Sequence, residues 1–283
     1  MTKIFIFPGQ GSQKVGMGAE LFNAFPETVE EADQELGYSI SRLCLEDPDQ
    51  QLNKTEFTQP ALYTVNALSY LAKVNETGEK PASVAGHSLG EYNALFAANA
   101  FDFITGLKIV RKRGELMSQA TGGGMAAIIG LSKEDIEKII RENSLDAIDI
   151  ANLNSPQQIV ISGPEKKIRD AEPVFQSNGA KLFIPLKVSG AFHSRYMESS
   201  KKEFEAFLHQ FEFSSLERPV ISNVHAQPYG QDQIRENLTN QMTHSVCWTE
   251  TIQYLLREIE DPEFEEIGPG NVLTGLLRQI RSS

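Results

Sequence analysis

Cysteine is almost absent from this 283-residue sequence; Cys44 and Cys247 are the only two. That excludes a disulfide-stapled secreted scaffold, and two free thiols suit a reducing compartment. Basic charge is also scarce. Lys and Arg number 26 against 38 Asp and Glu, a formal net charge of −12. The basic footprint of a nucleic-acid binder is therefore missing. Anionic ligands stay possible wherever a few Arg or Lys focus positive potential inside a cleft. No apolar run approaches the ~20 residues needed to span a bilayer. The stretch Ile4-Phe5-Ile6-Phe7, ended by Pro8 and Gly9, is too short for a signal-peptide core. The expectation is a soluble cytoplasmic protein with neither nucleic acid nor membrane as partner. The rest is ordinary: 40% hydrophobic residues, 21 Gly and 13 Pro exclude disordered and collagen-like readings. The length suits about two domains' worth of chain with a large core.

Residues 3–7 read as a buried strand running into a glycine loop. A long helical stretch is expected over 18–36. Another follows over 58–71, with Pro60 near its first turn, where a missing N–H costs little. A strand over 83–85 breaks at Gly86, and 89–98 has helical composition. Strand, sharp turn and helix in that order suggest a parallel, doubly wound sheet. Residues 104–120 form a strong helix with Leu107, Val110, Gly114 and Met117 on one side. Thr121-Gly122-Gly123-Gly124 reads as a hinge, after which the rhythm changes. Strands are expected at 125–131, 147–153, 158–162 and 181–188. Helices are expected from Ser132, which has Asp135 placed for a capping box, to 143 and over 164–177. Pro173 predicts a kink or an early stop in the second of these. This β-α-β-β-α-β order is the ferredoxin-like signature. Beyond it come helices at 194–211, 249–258 and from 271, with strands at 220–224 and 264–267. The expected division is 1–120 and 188–283 as one large subdomain and 121–187 as an inserted small one.

Gly86-His87-Ser88-Leu89-Gly90 matches the nucleophile elbow G-x-S-x-G, in its required strand–turn–helix context. The glycines allow the strained turn that would expose the Ser88 hydroxyl. The Leu89 N–H would then lie at a helix N-terminus, placed to stabilise an oxyanion. A serine nucleophile needs a base. His87 lies inside the elbow and is expected to point away. His209 sits in a charged helix, and His225 and His244 in polar stretches. His193, on a loop after a strand end closed by Phe192, ranks first. The loop at 7–13 fails as a dinucleotide fingerprint, with Lys14 where Gly belongs, and as a phosphate loop, with Met17 where Lys belongs. Glycines either side of Gln10 instead let its backbone approach a ligand. Arg111 and Arg113 lie about 200° apart on a helix, so only one can face a cleft. His244 and Cys247 are too few for a metal site, and no metal is expected.

Taken together and in order, FPGQGSQ at 7–13, TQPAL at 58–62, GHSLGEY at 86–92, RGELM at 113–117, NSPQQIVISG at 154–163, AFHS at 191–194, QMTHSVCW at 241–248 and EIGPGNVLTGL at 266–276 resemble the malonyl-CoA:acyl carrier protein transacylases. The resemblance covers nearly the whole chain. Compact length and LGYSI at 36–40 look most like the free-standing acyltransferases that serve polyketide synthases in trans. It implies a large α/β-hydrolase-like parallel-sheet subdomain with an inserted ferredoxin-like subdomain. It implies Ser88 as nucleophile, His193 as general base and acid, the Gln10 and Leu89 amides as oxyanion hole, and Arg113 as the clamp for the malonyl carboxylate. Phe192 beside the histidine resembles malonyl-selective members, and its ring should crowd a 2-methyl branch. Gln241 stands where the family's backbone carbonyl orients the histidine. Ser245 and Cys247 depart from the family's usual Pro and Arg or Gln, which sets the Gln241 role in question. The implied partners are a coenzyme A thioester and an acyl carrier protein, with malonyl-CoA as substrate and no permanently bound cofactor. Rival readings are a housekeeping fatty-acid transacylase, a hydrolase of carrier-protein thioesters, a non-enzymatic docking module and an α/β-hydrolase esterase. A hydrolase would not need Arg113, and an esterase would want an acid between Ser and His.

Overall fold

The computed structural model describes residues 1–230 and 232–282. The first part of the chain runs β1 (Thr2–Phe7), α1 (Ala19–Ala24), α2 (Pro26–Leu36), α3 (Ile40–Leu45), α4 (Thr55–Thr77), β2 (Ser83–Gly86), α5 (Gly90–Ala97) and α6 (Phe103–Ser118). The expected helix at 18–36 is two helices. Phe25 precedes Pro26, whose ring disfavours helical geometry in the residue before it, and Phe25 breaks at φ −128°, ψ 56°. Helix α4 starts three residues earlier than expected, so Pro60 lies inside it rather than near its first turn. The short α3 was not anticipated.

The second part runs β3 (Gly123–Ile129), α7 (Lys133–Glu142), β4 (Asp149–Ser155), β5 (Gln158–Pro164), α8 (Glu165–Ser177) and β6 (Leu182–Pro185). Its sheet is antiparallel in the order β4-β5-β3-β6, the ferredoxin-like arrangement. The Ser132–Asp135 capping box at α7 is present. Pro173 does not stop α8, which runs four residues further. The expected glycine hinge is in part strand. Gly123 and Gly124 pair with Pro164 and Gly163, and only Gly122 takes a left-handed φ, of 72°. A Cβ at Gly123 would lie 2.1 Å from the Ala191 nitrogen, so close packing explains that glycine.

The third part holds a short 3-10 turn at Arg195–Met197, then α9 (Glu198–Leu208), β7 (Val220–Ile221), α10 (Ile234–Gln241), α11 (Trp248–Glu258), β8 (Pro262–Glu266) and α12 (Val272–Arg281). Strands of the first and third parts form one parallel sheet, β7-β2-β1-β8. Its inner strands are buried on both faces, so they read as continuous apolar runs. Phe5, Phe7 and Val84 join the core with Tyr63, Leu95 and Val110 of α4, α5 and α6. Ile4, Ile6 and Ala85 join Trp248, Ile252 and Leu276 of α11 and α12. Among the described residues no helix is long and apolar enough to cross a membrane.

The C-terminal ends of β1 and β2 press together through glycine. A Cβ at Gly90 would meet the Phe7 carbonyl oxygen at 2.0 Å, and one at Gly86 would meet the Gly90 carbonyl carbon at 1.9 Å. In an open helix Gly→Ala is worth ~1 kcal/mol of stability. Here backbone collision reverses the sign, and Gly90→Ala is expected to destabilise by more than about 3 kcal/mol. A lower thermal midpoint checks this; an unchanged one would contradict the packing.

Candidate active site

The elbow is built by that squeeze. With glycine on both sides, Ser88 sits at φ 51°, a left-handed conformation held for a non-glycine residue. Its N–H donates to Asn223 Oδ1 at 2.7 Å, and Asn223 Nδ2 donates to the Gly86 carbonyl at 2.6 Å. The expected strand at 220–224 thus ends at Ile221, and the next residues turn to brace the elbow. Ser88 Oγ lies 2.8 Å from His193 Nε2. His193 Nδ1 donates to the Gln241 backbone carbonyl at 2.8 Å. A carbonyl only accepts, so the neutral ring carries its proton on Nδ1 and turns a lone pair on Nε2 toward the hydroxyl. His193 also has a left-handed φ, 55°. Two strained residues face each other across one hydrogen bond.

Burial, together with the neighbouring Arg113 cation, pushes the His193 imidazole down to about 3. The ring is therefore a free base over the whole physiological range. The sign follows: a depressed pKa keeps the base form available as pH falls. Acylation of Ser88 is expected to show its acid limb well below 6.5, the ordinary histidine value. A pH profile of kcat/KM checks this, and a limb centred on that ordinary value would contradict it.

Arg113 is 1% exposed. Nη1 donates to Gln59 Oε1 at 2.7 Å, and Nη2 donates to Gln241 Oε1 at 2.9 Å and to Ser88 Oγ at 3.1 Å. Arg111 turns outward and donates to Glu35. Of the two arginines, the structure brings Arg113 to the hydroxyl. Burial lowers its pKa, but a guanidinium stays charged in any accessible range. The loop at 7–13 lies against the elbow: a Cβ at Gly9 would meet the His87 carbonyl oxygen at 2.3 Å. The backbone N–H groups of Gln10 and Leu89 have no hydrogen-bond partner among the described residues. Leu89 is fully buried, at the N-cap of α5.

His87 points away from the hydroxyl. Its Nε2 is 2.7 Å from Asn154 Oδ1, and its ring meets Trp248 edge-on. His209, His225 and His244 are exposed. The Phe192 ring is buried in the large core, close to Gly190. The departures at Ser245 and Cys247 leave the Gln241 carbonyl in place. They lie on a segment tied to β4, where Val246 exchanges backbone hydrogen bonds with Ala151 and Leu153 and the Ser245 hydroxyl donates to the Ile150 carbonyl.

Sequence reasoning missed Gln59, Asn223, Tyr229 and Glu91. Glu91 is fully buried. Its Oε1 accepts from the Asn223 N–H at 2.8 Å and the Tyr229 hydroxyl at 2.7 Å, and its Oε2 accepts from the Gln241 amide. Burial raises this carboxyl to about 7 against those hydrogen bonds, which favour the ionised form. A lone charge three residues after the serine, on a short helix with no other charged residue, was the available signal.

A half-buried serine on a buried histidine, beside a fixed cation and two N–H donors with no partner among the described residues, is equipped to make and break an ester. Comparison with known proteins agrees. The chain is 58% identical over 278 residues, 98% of this chain and 96% of the relative, to the polyketide biosynthesis malonyl CoA-acyl carrier protein transacylase PksC of Bacillus subtilis. It is 42% identical to the malonyl CoA-acyl carrier protein transacylase of the same organism, covering 99% of this chain and 91% of that one. A crystal structure of a malonyl CoA-acyl carrier protein transacylase from Burkholderia pseudomallei superposes with a TM-score of 0.97 at 49% identity, covering 100% of this chain and 99% of that one. The family described as Acyl transferase domain matches residues 4–282, and the chain belongs to it.

Proposed function

We propose that this enzyme transfers a malonyl group from malonyl-CoA to the phosphopantetheine thiol of an acyl carrier protein, in trans, for polyketide synthesis. The observation that carries the acyl choice is the buried Arg113 guanidinium 3.1 Å from the Ser88 hydroxyl. Such a cation suits an acyl group with a free carboxylate. A hydrolase of neutral acyl groups has no use for it. Higher identity to the polyketide transacylase than to the B. subtilis enzyme without that label, 58% against 42%, supports the pathway assignment.

Ser88 Oγ attacks the thioester carbonyl carbon while His193 Nε2 takes its proton. The oxyanion is held by the Gln10 and Leu89 N–H groups, each worth ~3–4 kcal/mol to the rate. The carbon–sulfur bond breaks, and the CoA thiolate takes the proton from His193. Malonyl-serine then waits for the carrier thiol, and the steps run in reverse. The imidazolium that forms transiently is disfavoured beside Arg113. A malonyl carboxylate on Arg113 offsets that repulsion, so the acyl charge helps its own transfer. A histidine held by a neutral carbonyl, with no buried Asp, is a modest base. A thiol needs less help than water, so this arrangement favours transfer over hydrolysis. Every bond change is served by groups on the chain. Malonyl-CoA enters as substrate, and no resident cofactor is part of the scheme. Two unpaired cysteines fit a cytoplasmic location.

The test is incubation with malonyl-, methylmalonyl- and acetyl-CoA, with and without a carrier protein, read by intact mass. A malonyl adduct that moves to the carrier thiol is expected. Slower loading of methylmalonyl is expected from the Phe192 ring, since a methyl clash costs ~1–3 kcal/mol. Release of free malonate without carrier loading would favour the hydrolase.

A further inference from the structure

Glu91 is a buried carboxylate that the acyl-transfer steps do not use. It lies on α5, three residues after the nucleophile. One amide separates it from the site's cation: Gln241 Nε2 donates to Glu91 and to the Ser88 carbonyl, while Gln241 Oε1 accepts from Arg113. The charged and titratable groups facing Glu91 are Arg113 on α6, Tyr92 on its own helix, Tyr229 before α10 and, across Gln241, His193. Arg113 is the one cation of this group. A buried cation without a counter-charge is costly, and in the empty site Glu91 supplies that charge. An acyl group with a free carboxylate brings a second anion to a single cation, away from water. An acetyl group brings none.

We propose that Glu91 is a specificity-determining residue: it balances Arg113 in the empty site and takes up a proton when an acyl group with a free carboxylate is loaded. The proposal rests on the malonyl reading above. Loading of malonyl, unlike loading of acetyl, is then coupled to protons from solvent. Burial already holds the Glu91 carboxyl near neutrality, at about 7, so the proton enters at little cost. A second anion raises it further. The sign follows from linkage. Between the midpoints of the empty and loaded enzyme, loading consumes a proton. At pH 5 Glu91 is protonated in both states, and nothing is consumed. Well above the loaded midpoint Glu91 stays ionised, and malonyl loading is weak. His193 starts from about 3 and has much further to climb. The Tyr229 hydroxyl, which donates to the ionised form, lowers the empty-state midpoint along with the Asn223 N–H and the Gln241 amide.

The experiment mixes enzyme with malonyl-CoA or acetyl-CoA in weakly buffered solution with a pH indicator, at pH 5, 7 and 8. Acyl-enzyme is counted by intact mass in the same samples. Wild type should consume about half a proton per malonyl-enzyme at pH 7, more at pH 8 and none at pH 5, with none for acetyl at any pH. Whatever malonyl adduct Glu91→Gln forms should carry no uptake. Tyr229→Phe should move the uptake to higher pH, and it serves where Glu91→Gln does not fold. Equal uptake for the two acyl groups, or uptake that survives in Glu91→Gln, overturns the proposal. A malonyl adduct formed without uptake refutes it alone, whereas no adduct on Ser88 removes the malonyl reading with it.

Discussion

With His193 replaced by alanine, acylation of Ser88 by malonyl-CoA is expected to slow by roughly 10²–10⁴-fold, the range for a positioned general base. The geometry leaves no substitute. Nε2 is 2.8 Å from the hydroxyl, and the other four histidines are exposed or turned elsewhere. Among the described residues the hydroxyl's other side-chain partner is Arg113, which cannot accept a proton. Histidine tolerates the left-handed backbone at residue 193 better than alanine does, so the kinetic effect has to be separated from a loss of stability. Single-turnover loading of His193→Ala, with its thermal midpoint measured alongside, checks this. Loading within tenfold of wild type would mean that another group takes the proton.

Arg113→Ala is the second large effect. Hydrogen bonds to a charged partner are worth ~1.5–3 kcal/mol net, or roughly 10- to 150-fold. Malonyl loading should fall by that factor or more, because Gln59 and Gln241 also lose the donor that holds them. Acetyl loading should hold or rise. Arg113 lowers the His193 pKa, so its removal makes His193 a better base at neutral pH. Lysine cannot restore the fork to Gln59, Gln241 and substrate, so Arg113→Lys should resemble the alanine variant. Arg111→Ala should change little, since that side chain faces Glu35. The measured quantity is the malonyl-to-acetyl ratio of acyl-enzyme. A ratio equal to that of wild type in Arg113→Ala would refute the clamp.

Ser88 and His193, the proposed nucleophile and base, were legible as a pair because their signals are local. A strand, a glycine-flanked serine and the start of a helix lie close together, whereas His193 lies on a loop: β6 ends at Pro185, short of the strand expected to 188. Choosing Arg113 over Arg111 needed more than spacing, which says only that the two diverge. The frame around them was not legible. Glu91 meets Asn223, Tyr229 and Gln241 across more than 130 residues of sequence. A lone charge on the short, mostly buried α5 is the one local signal, and it names none of these partners. In the fold, alternation and capping marked the ferredoxin-like part, whereas α3 and α10 are short and partly polar. Their helicity comes from packing, with Ile40 and Leu43 in one case and Ile234 and Leu238 in the other buried in the large core.

The central claim is a covalent malonyl group on Ser88. Its most direct test is peptide mapping of enzyme incubated with malonyl-CoA alone, in wild type and Ser88→Ala. One malonyl ester on the peptide carrying Ser88, absent from the variant, is expected. Burial holds the Cys44 and Cys247 thiols up at about 12 and about 11, so neither competes as a thiolate. An adduct on either cysteine, or an undiminished adduct in Ser88→Ala, would contradict the assignment.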